Sequence, residues 1–453
     1  EKAVHMHVCR ISLLAAGCLL LVWIGAGACS ETNVLSLYDA IRTAMENNPE
    51  MLAMRSALAA QKEDMGIAGS SLLPRLTLEE RAMRTNNPPS VFMMKLNQER
   101  FSSSDFAMDK LNDPGPFNDF QTLLSLDQPI FLRKAQVGFR MAKQEYAAKK
   151  EDYTRKKEEI AVKVAQAYLR ILTARSYVGV ALRSVDDAKE HGRVAELRYR
   201  AGLGLYSDAL RAATKVTEAE QRLVRAKKEL AVARRWLGFL LGTTEMVDVE
   251  ETKPEFPLRD IEYYTGAASS RRDIAAMKVR RENAKNNIKL AESTYFPSLG
   301  VQGAYQLNDR GRPFGSEGDS WLVTAYLKWD LFDGAGREFE KRKAQHKAAE
   351  IEEHLRSLRQ FVSFKVHEAY LAVEEARKNM ELSESALATA EEGKRHVKTR
   401  FENDLSPIVD LLDVQRNLDH ARANVSARQN DYYMAVINLG YESGTIMKDL
   451  RME

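Results

Sequence analysis

The sequence predicts a mainly α-helical protein with a small β part, built twice from one unit of long antiparallel coiled-coil helices. Three observations carry this. First, residues 168–242 and 370–444 lie over each other without a gap. Tyr168-Leu169, Arg198-Tyr199, Asp208, Leu237-Gly238 and Gly242 fall on Tyr370-Leu371, Arg400-Phe401, Asp410, Leu439-Gly440 and Gly444. Upstream, Ala68, Pro74 and Leu76 meet Ala291, Pro297 and Leu299. Second, no Pro interrupts residues 134–198, so they can run as one helix of about 100 Å. Third, the only stretches with a period of two lie between the short and long helices of each copy.

Taken in order, residues 1–29 read as a secretory leader: Arg10, an apolar run from Ile11 to Ile24, then the small residues Gly25 to Ala28. Ala26-Gly27-Ala28 fits ordinary cleavage, and Cys29 directly after small residues also fits lipoprotein processing and lipidation. The three cysteines, Cys9, Cys18 and Cys29, all lie in this leader, which leaves the exported body no disulfide and no thiol metal site. No later segment is apolar for about 18 residues, so a membrane could be crossed after the leader only by strands.

The first repeat, 30–242, opens with a short helix over 50–71 that stops before Pro74, because a proline disfavours helical backbone in the residue before it. Strands follow at 76–84 and 121–131, with residues 85–120, rich in Gly, Pro, Asn and Ser, as the loop between them. The long helix, 134–200, carries Ile160, Val164, Ala167, Ile171, Ala174, Val178, Ala181, Val185 and Ala188 in steps of four and three, the 3.5-residue period of a coiled-coil seam. A second seam, Val162, Ala165, Leu169 and Leu172, lies on an adjoining face. Two seams need two neighbours, as in a ring of helices. A turn at 201–207 leads to a return helix over 205–241.

Residues 243–269, with Pro254 and Pro257, form a linker, and the second repeat, 270–444, repeats the order: helix 273–294, strands 298–307 and 320–332, helices 335–402 and 407–440, then a tail, 445–453. Its seam runs Val362, Val366, Ala369, Val373, Ala376, Met380, Ser383, Leu387, Ala390. In the last strand Trp321, Val323, Ala325, Leu327 and Trp329 alternate with Leu322, Thr324, Tyr326 and Lys328, the pattern expected when one face meets lipid and the other a wetter interior. Trp321 and Trp329 would stand about 20 Å apart in height after a strand tilt near 40°, close to the separation of the aromatic girdles of an outer-membrane barrel. Four strands cannot close a membrane barrel, and an open edge in lipid leaves backbone groups unsatisfied. Several chains must pool their strands: two copies give eight, three give twelve.

Composition narrows the function classes. A formal charge of +3 with Lys and Arg interspersed among Asp and Glu offers no basic block for nucleic acid. No phosphate-cradling loop follows a strand, since Gly202-Leu203-Gly204 sits at a coiled-coil tip. His346, His354, His367, His396 and His420 form no i, i+4 pair, so neither catalysis, a cofactor nor a metal centre is indicated. Met93, Met94 and Met108 fit loop filling better than copper or silver traffic.

With the duplicated helix, strand, strand, helix order, the tip sequences Arg198-Tyr199-Arg200-Ala201-Gly202-Leu203 and Arg400-Phe401-Glu402-Asn403-Asp404-Leu405, and Ile408-Val409-Asp410-Leu411-Leu412-Asp413, the chain resembles the TolC-like outer membrane efflux family. The resemblance covers essentially the whole exported length. It implies a homotrimer in which four strands per chain make one 12-stranded barrel in outer-membrane lipid and the helices continue as a trimeric α-barrel across the periplasm. The linker 243–269 would belong to an equatorial belt. The function implied is the channel-tunnel of a tripartite efflux or export system, fed by a periplasmic adaptor (membrane fusion) protein and an inner-membrane pump of RND or ABC type. A type I protein secretion outlet is the alternative within this class. A soluble periplasmic coiled-coil scaffold or adaptor is the alternative outside it. By the same resemblance Asp410 and Asp413 ring the periplasmic aperture, with Ser207 and Asp208 as an acceptor pair. Phe401 stands where the family has a Tyr and Ser406 where it has an Arg, so the family's latch does not carry over, since neither residue supplies the missing hydroxyl or charge. Ala201, Gly202 and Leu203, with Asp404 and Leu405 in the second copy, would be the adaptor-docking tips.

Overall fold

A computed structural model describes residues 34–251, 258–403 and 405–452; Cys29 and the leader lie outside the described residues. In chain order the elements are β1 (Val34–Leu35), α1 (Leu37–Asn47), α2 (Pro49–Ser70), β2 (Arg75–Thr85), α3 (Pro88–Asn97), α4 (Met108–Asn112) and β3 (Phe117–Phe131). Then come α5 (Arg133–Arg200), α6 (Tyr206–Leu240), β4 (Asp248–Val249), α7 (Ile261–Ala268), α8 (Arg272–Glu292), β5 (Ser298–Asp309) and β6 (Gly318–Lys328). The chain ends with α9 (Gly336–Glu402), α10 (Ile408–Ser443) and α11 (Ile446–Asp449).

Local signals set the boundaries. Ser36 caps α1 by accepting the Asp39 N–H at 3.1 Å. Asn48 ends α1 and caps α2, accepting from the Glu50 and Met51 amides, with Pro49 at the first helical position. Its side-chain amide also donates to the Leu240 carbonyl at 2.8 Å, which fixes the top of α6 beneath the start of α2. Gly242 completes this joint: its φ is +76°, and a Cβ there would lie 2.5 Å from the Asn47 carbonyl oxygen.

The two long helices, of 68 and 67 residues, run the full height of one wall. In the upper half α5 packs on α2 and α8, and α8 on α9; in the lower half α5 packs on α6 and α10, and α10 on α9. The short and return helices thus flank the long ones end to end. The first seam of α5 buries Ile160, Val164, Ala167 and Ile171 against Ala233, Leu237 and Leu240 of α6 and Ile41 and Ala44 of α1. Its second seam buries Val162, Ala165 and Leu169 against Ile437 of α10 and Ile446 of α11. In the second copy Val362, Val366, Ala369 and Val373 close on Leu439, Ile274 and Tyr264.

The sheet is antiparallel in the order β2-β3-β5-β6, with β2 and β6 each lacking a further strand partner among the described residues. Each strand joins the helix at the same place in the wall: α2 leads into β2, β3 into α5, α8 into β5 and β6 into α9. Register and alternation sort the faces. One carries Leu76, Leu78, Leu124, Leu126, Val301, Tyr305, Trp321, Val323 and Leu327. The other is mostly polar, carrying Arg75, Thr77, Glu79, Arg81, Gln121, Ser125, Asp127, Gln302, Gln306, Ser320 and Thr324 with Leu123 and Leu322 among them. No helix among the described residues is long and apolar enough to cross a membrane.

Two expectations need correction. The last strand ends at Lys328 and not at 332: Arg337 donates to the carbonyls of Asp330 and Leu331 and Gly334 turns at φ +73°, drawing the chain off the sheet into α9. Trp329 therefore lies past the strand, its indole N–H donating to the Tyr295 carbonyl at 3.1 Å, and Trp321 alone stands on β6. Residues 85–120 are not a bare loop, since they hold α3, a 3₁₀ turn over Ser103–Phe106, α4 and the start of β3. The linker between the repeats holds elements of its own, with β4 pairing in parallel with β1 and α7 packing on α9 and α10.

Candidate functional site at the paired helix tips

The end of the wall remote from the sheet is made by two helical turns. At the first, the amides of Gly202 and Leu203 donate to the carbonyls of Tyr199 and Arg198, the two bonds of a Schellman motif, with Gly202 at φ +73°. The rings of Tyr199 and Tyr206 meet across this turn at 5.1 Å. At the second, the Leu405 amide donates to the Arg400 carbonyl at 2.8 Å, the same closure, and Asp404 lies outside the described residues. Leu203, Leu205 and Leu405 stand two-thirds or more exposed at the extreme end.

A joint ties the two turns. Phe401 is buried in one cluster with Ala195 of α5, Ala212 of α6, and Ile408 and Leu411 of α10, so all four helices meet in a single small core. The Arg198 guanidinium lies 4.5 Å from the centre of the Phe401 ring and donates to the Phe401 carbonyl at 3.2 Å. A hydroxyl on Phe401 is thus not required for this contact. Between the turns runs a groove of about 380 Å³ lined by Arg198, Leu203, Asp208, Phe401, Leu405 and Ser406.

The carboxylates are distributed around this joint and do not touch one another. Asp208, in the first turn of α6, lies 3.8 Å from Arg211, beside an exposed Ser207. Asp410 takes the Ser406 hydroxyl at 2.6 Å, so Ser406 serves its own turn where an Arg would reach across. Asp413 is exposed, 3.8 Å from Arg416. Both Asp410 and Asp413 occupy the solvent side of the first turns of α10, where the helix dipole favours negative charge.

Above the tip lies a polar clasp with little sequence signal. Asp187 of α5 accepts from Lys394 of α9 at 3.1 Å and from Gln415 of α10 at 2.9 Å. Asp419 accepts from Ser184 and Gln415. His191 sits beside them, buried, with Nε2 unpartnered. Burial first, then the charge of Lys394, holds its imidazole below the ordinary histidine pKa, against the opposing pull of Asp187. Its surroundings come from other helices, so only the folded arrangement distinguishes it from the exposed histidines of α9 and α10.

A half-open wall of helices, continuous with a half-open sheet that is mostly apolar on one face and mostly polar on the other, is the architecture of a transmembrane duct protein. The outer membrane efflux protein family matches residues 40–243 and 264–443, and the chain belongs to that family. It is 22% identical over 424 residues to the outer membrane protein TolC of Vibrio cholerae, covering 91% of each chain. It is 20% identical to the alkaline protease secretion protein AprF of Pseudomonas aeruginosa, covering 91% of this chain and 85% of the relative. In fold it is similar to the outer membrane protein VceC of Vibrio cholerae, with a TM-score of 0.75 at 18% identity over 90% of this chain and 96% of that one. The open state of the Neisseria gonorrhoeae MtrE channel gives 0.73 at 18%, over 90% and 89%. The protein is an outer-membrane channel of an efflux or export system, extending into the periplasm.

Proposed function

We propose that three copies form the closed duct and that it conducts cargo passively from an adaptor and inner-membrane pump docked at the helix tips. The observation that carries this is the pair of unlike free edges. On the side of α2 and α6 the wall exposes Leu210, Val224 and Phe239; on the side of α9 it exposes Phe361, Phe364, Leu371 and Leu382. The sheet is open on the same two sides, at β2 and β6. Unlike edges join head to tail and close only by rotation. Two copies would make eight strands, a barrel whose interior side chains fill. Three make twelve, and leave a lumen lined by the polar face.

At the tip, threefold repetition would bring Asp410 and Asp413 into rings of carboxylate that attract cations. The exposed Leu203, Leu205 and Leu405 beside the groove fit a helical hairpin of an adaptor, with Ala201 and Gly202 permitting close approach. Asp404 belongs to the same docking turn in sequence. Cys29 is the proposed acylation site, and Trp321 the proposed rim aromatic, with Trp329 at the strand's inner end. The repeat boundaries 30–242 and 270–444, flanking an equatorial linker at 243–269, follow the same reading.

The type I secretion reading uses the same duct, and the relative named for alkaline protease secretion supports it as strongly as the efflux names support a pump of small molecules. Membrane fractionation followed by native mass measurement tests the proposal. Detergent extraction as a trimer that heat dissociates is the expected result, and release with soluble periplasm as a monomer would replace the duct with a scaffold.

A further inference from the structure

The 31 residues between β2 and β3 fold into a compact cap, whereas β5 and β6 are joined by only eight. We propose that this cap is a lid seated in the outer mouth of the duct, on the lumen side of the sheet, so that the closed channel is narrowed at both ends. The proposal rests on the threefold barrel argued above.

The helices leave the sheet at Arg75, Phe131, Ser298 and Lys328, so the cap stands at the opposite, outer end of the strands. Its folding begins with Asn87, which accepts the Ser90 amide at 3.2 Å, followed by Pro88 and Pro89 at the first helical positions. Which face it lies on is settled by its anchors. Val91 and Met94 bury against Phe117, and Gln98, itself 1% exposed, donates to Asp119 at 2.7 Å. Asn308 donates to the same carboxylate at 2.9 Å. Phe117, Asp119 and Asn308 all project from the polar face, the one that carries Gln121, Ser125 and Gln306. A cap held on the lipid side would need anchors from the face of Leu124 and Tyr305.

The cap also reaches across the sheet. The Asn97 carbonyl packs so closely on Gly318, the first residue of β6, that a Cβ there would fall 2.3 Å from it, and Arg100 pairs with Glu317 at 2.9 Å. The α3 segment therefore spans from the β2 edge to the β6 edge over the strand ends. Within the cap, Lys95 and the Ser102 amide and hydroxyl hold the Asp105 carboxyl well below the usual carboxylate range, and Phe101 stacks edge-on between Phe92 and Phe106. These contacts mark a built element and not a floppy connection. A helix with its side chains is about 10–12 Å across, and twelve strands give only half again the girth of the eight-strand barrel that side chains fill. Three caps converging on that mouth would close most of it. Met93, Phe106 and Met108 remain exposed on each cap in the single chain.

The test uses the full chain reconstituted in planar bilayers. Replacing residues 88–113 by a short Gly-Ser turn is expected to raise single-channel conductance about twofold or more and to admit larger polyethylene glycols, with trimers preserved on native gels. Should that deletion fail to assemble, the double variant Gln98→Leu, Arg100→Glu keeps the cap's length, unfastens its anchors and is expected to flicker between the two conductance levels. Because no cysteine follows Cys29, Leu96→Cys offers a third readout: a bulky membrane-impermeant maleimide added from the outer side is expected to reduce current at least by half. Trimeric channels whose conductance is unchanged by both alterations, and whose current ignores the maleimide, would overturn the lid alone. Absence of trimers and of channels from the unaltered protein would instead overturn the reading on which the lid rests.

Discussion

Leu169 and Leu371 occupy equivalent positions in the two repeats, yet Leu169 is 3% exposed and Leu371 62%. Val162 and Phe364 differ in the same way, buried against exposed. The sequence is apolar at both, so the difference arises from neighbours: α5 has α10 and α11 against its second seam, while among the described residues no element of the same chain packs on that seam of α9, at the end of the wall. An apolar stripe kept on the uncovered helix is the feature of a surface made for another subunit. On the proposed threefold assembly, the duplication therefore teaches which contacts are internal and which are left for a neighbouring copy.

Charge placed at these two positions separates the roles. Leu169→Asp buries an unpaired carboxylate and is expected to destabilise the protomer itself by about 3 kcal/mol or more, read as loss of helical circular dichroism and of any folded species. Leu371→Asp should leave a folded monomer with normal helicity and abolish the trimer. Equal damage from both would erase the distinction between inner and outer seams.

The helix joints offer the next contrast. Gly242 and Gly444 both end return helices in left-handed backbone, at φ +76° and +78°. An Ala at either costs roughly 1–2 kcal/mol for the backbone alone. At Gly242 the added carbon meets a backbone carbonyl at 2.5 Å, while at Gly444 it meets the Arg271 Cγ at 3.0 Å, a shallower clash relieved by a shift of a few tenths of an ångström. Thermal melts should therefore place Gly242→Ala several degrees below Gly444→Ala, and the reverse order would contradict the joint described at Asn47 and Asn48.

At the tips, Arg198 crosses to Phe401 whereas its counterpart Arg400 bonds its own turn at the Leu405 carbonyl. Arg198→Ala should remove about 1 kcal/mol of closure and raise leak conductance several-fold. Arg400→Ala should barely change it.

The smallest effect concerns acid. The folded state keeps His191 neutral, so as pH falls below the ordinary histidine value of 6.5 the unfolded chain takes up a proton that the clasp refuses. Stability is intact above that pH and declines below it, until the lowered folded pKa is passed. His191→Gln should flatten this acid limb, seen by comparing melts at pH 7.5 and about 5.5, and an unchanged limb would place the acid sensitivity elsewhere.

Much of the wall was legible in the sequence because a coiled-coil seam repeats a local signal many times: eight of the nine first-copy seam positions are buried, with Val178 partly so. Strand positions were legible for the same reason, within a few residues. The cap was not, since Asn87-Pro88-Pro89 reads equally as a loop composition and as a helix start, and only Phe117 and Asp119 from β3 decide between them. Trp329 was misplaced because alternation continues past Lys328 while hydrogen bonding stops. At the tip the residue types were legible but not their pairing: the reach of Arg198 to Phe401 depends on two helices that are about 200 residues apart in the chain.

The central claim is that β6 of one copy pairs with β2 of the next and that the ring closes at three. With no cysteine after Cys29, T77C combined in turn with L322C, T324C or Y326C places thiols on facing edges. Oxidation in outer membranes followed by non-reducing gels should give covalent dimers and trimers and nothing larger, for at least one pairing. A ladder that runs past three, or monomers alone with every pairing, would contradict it.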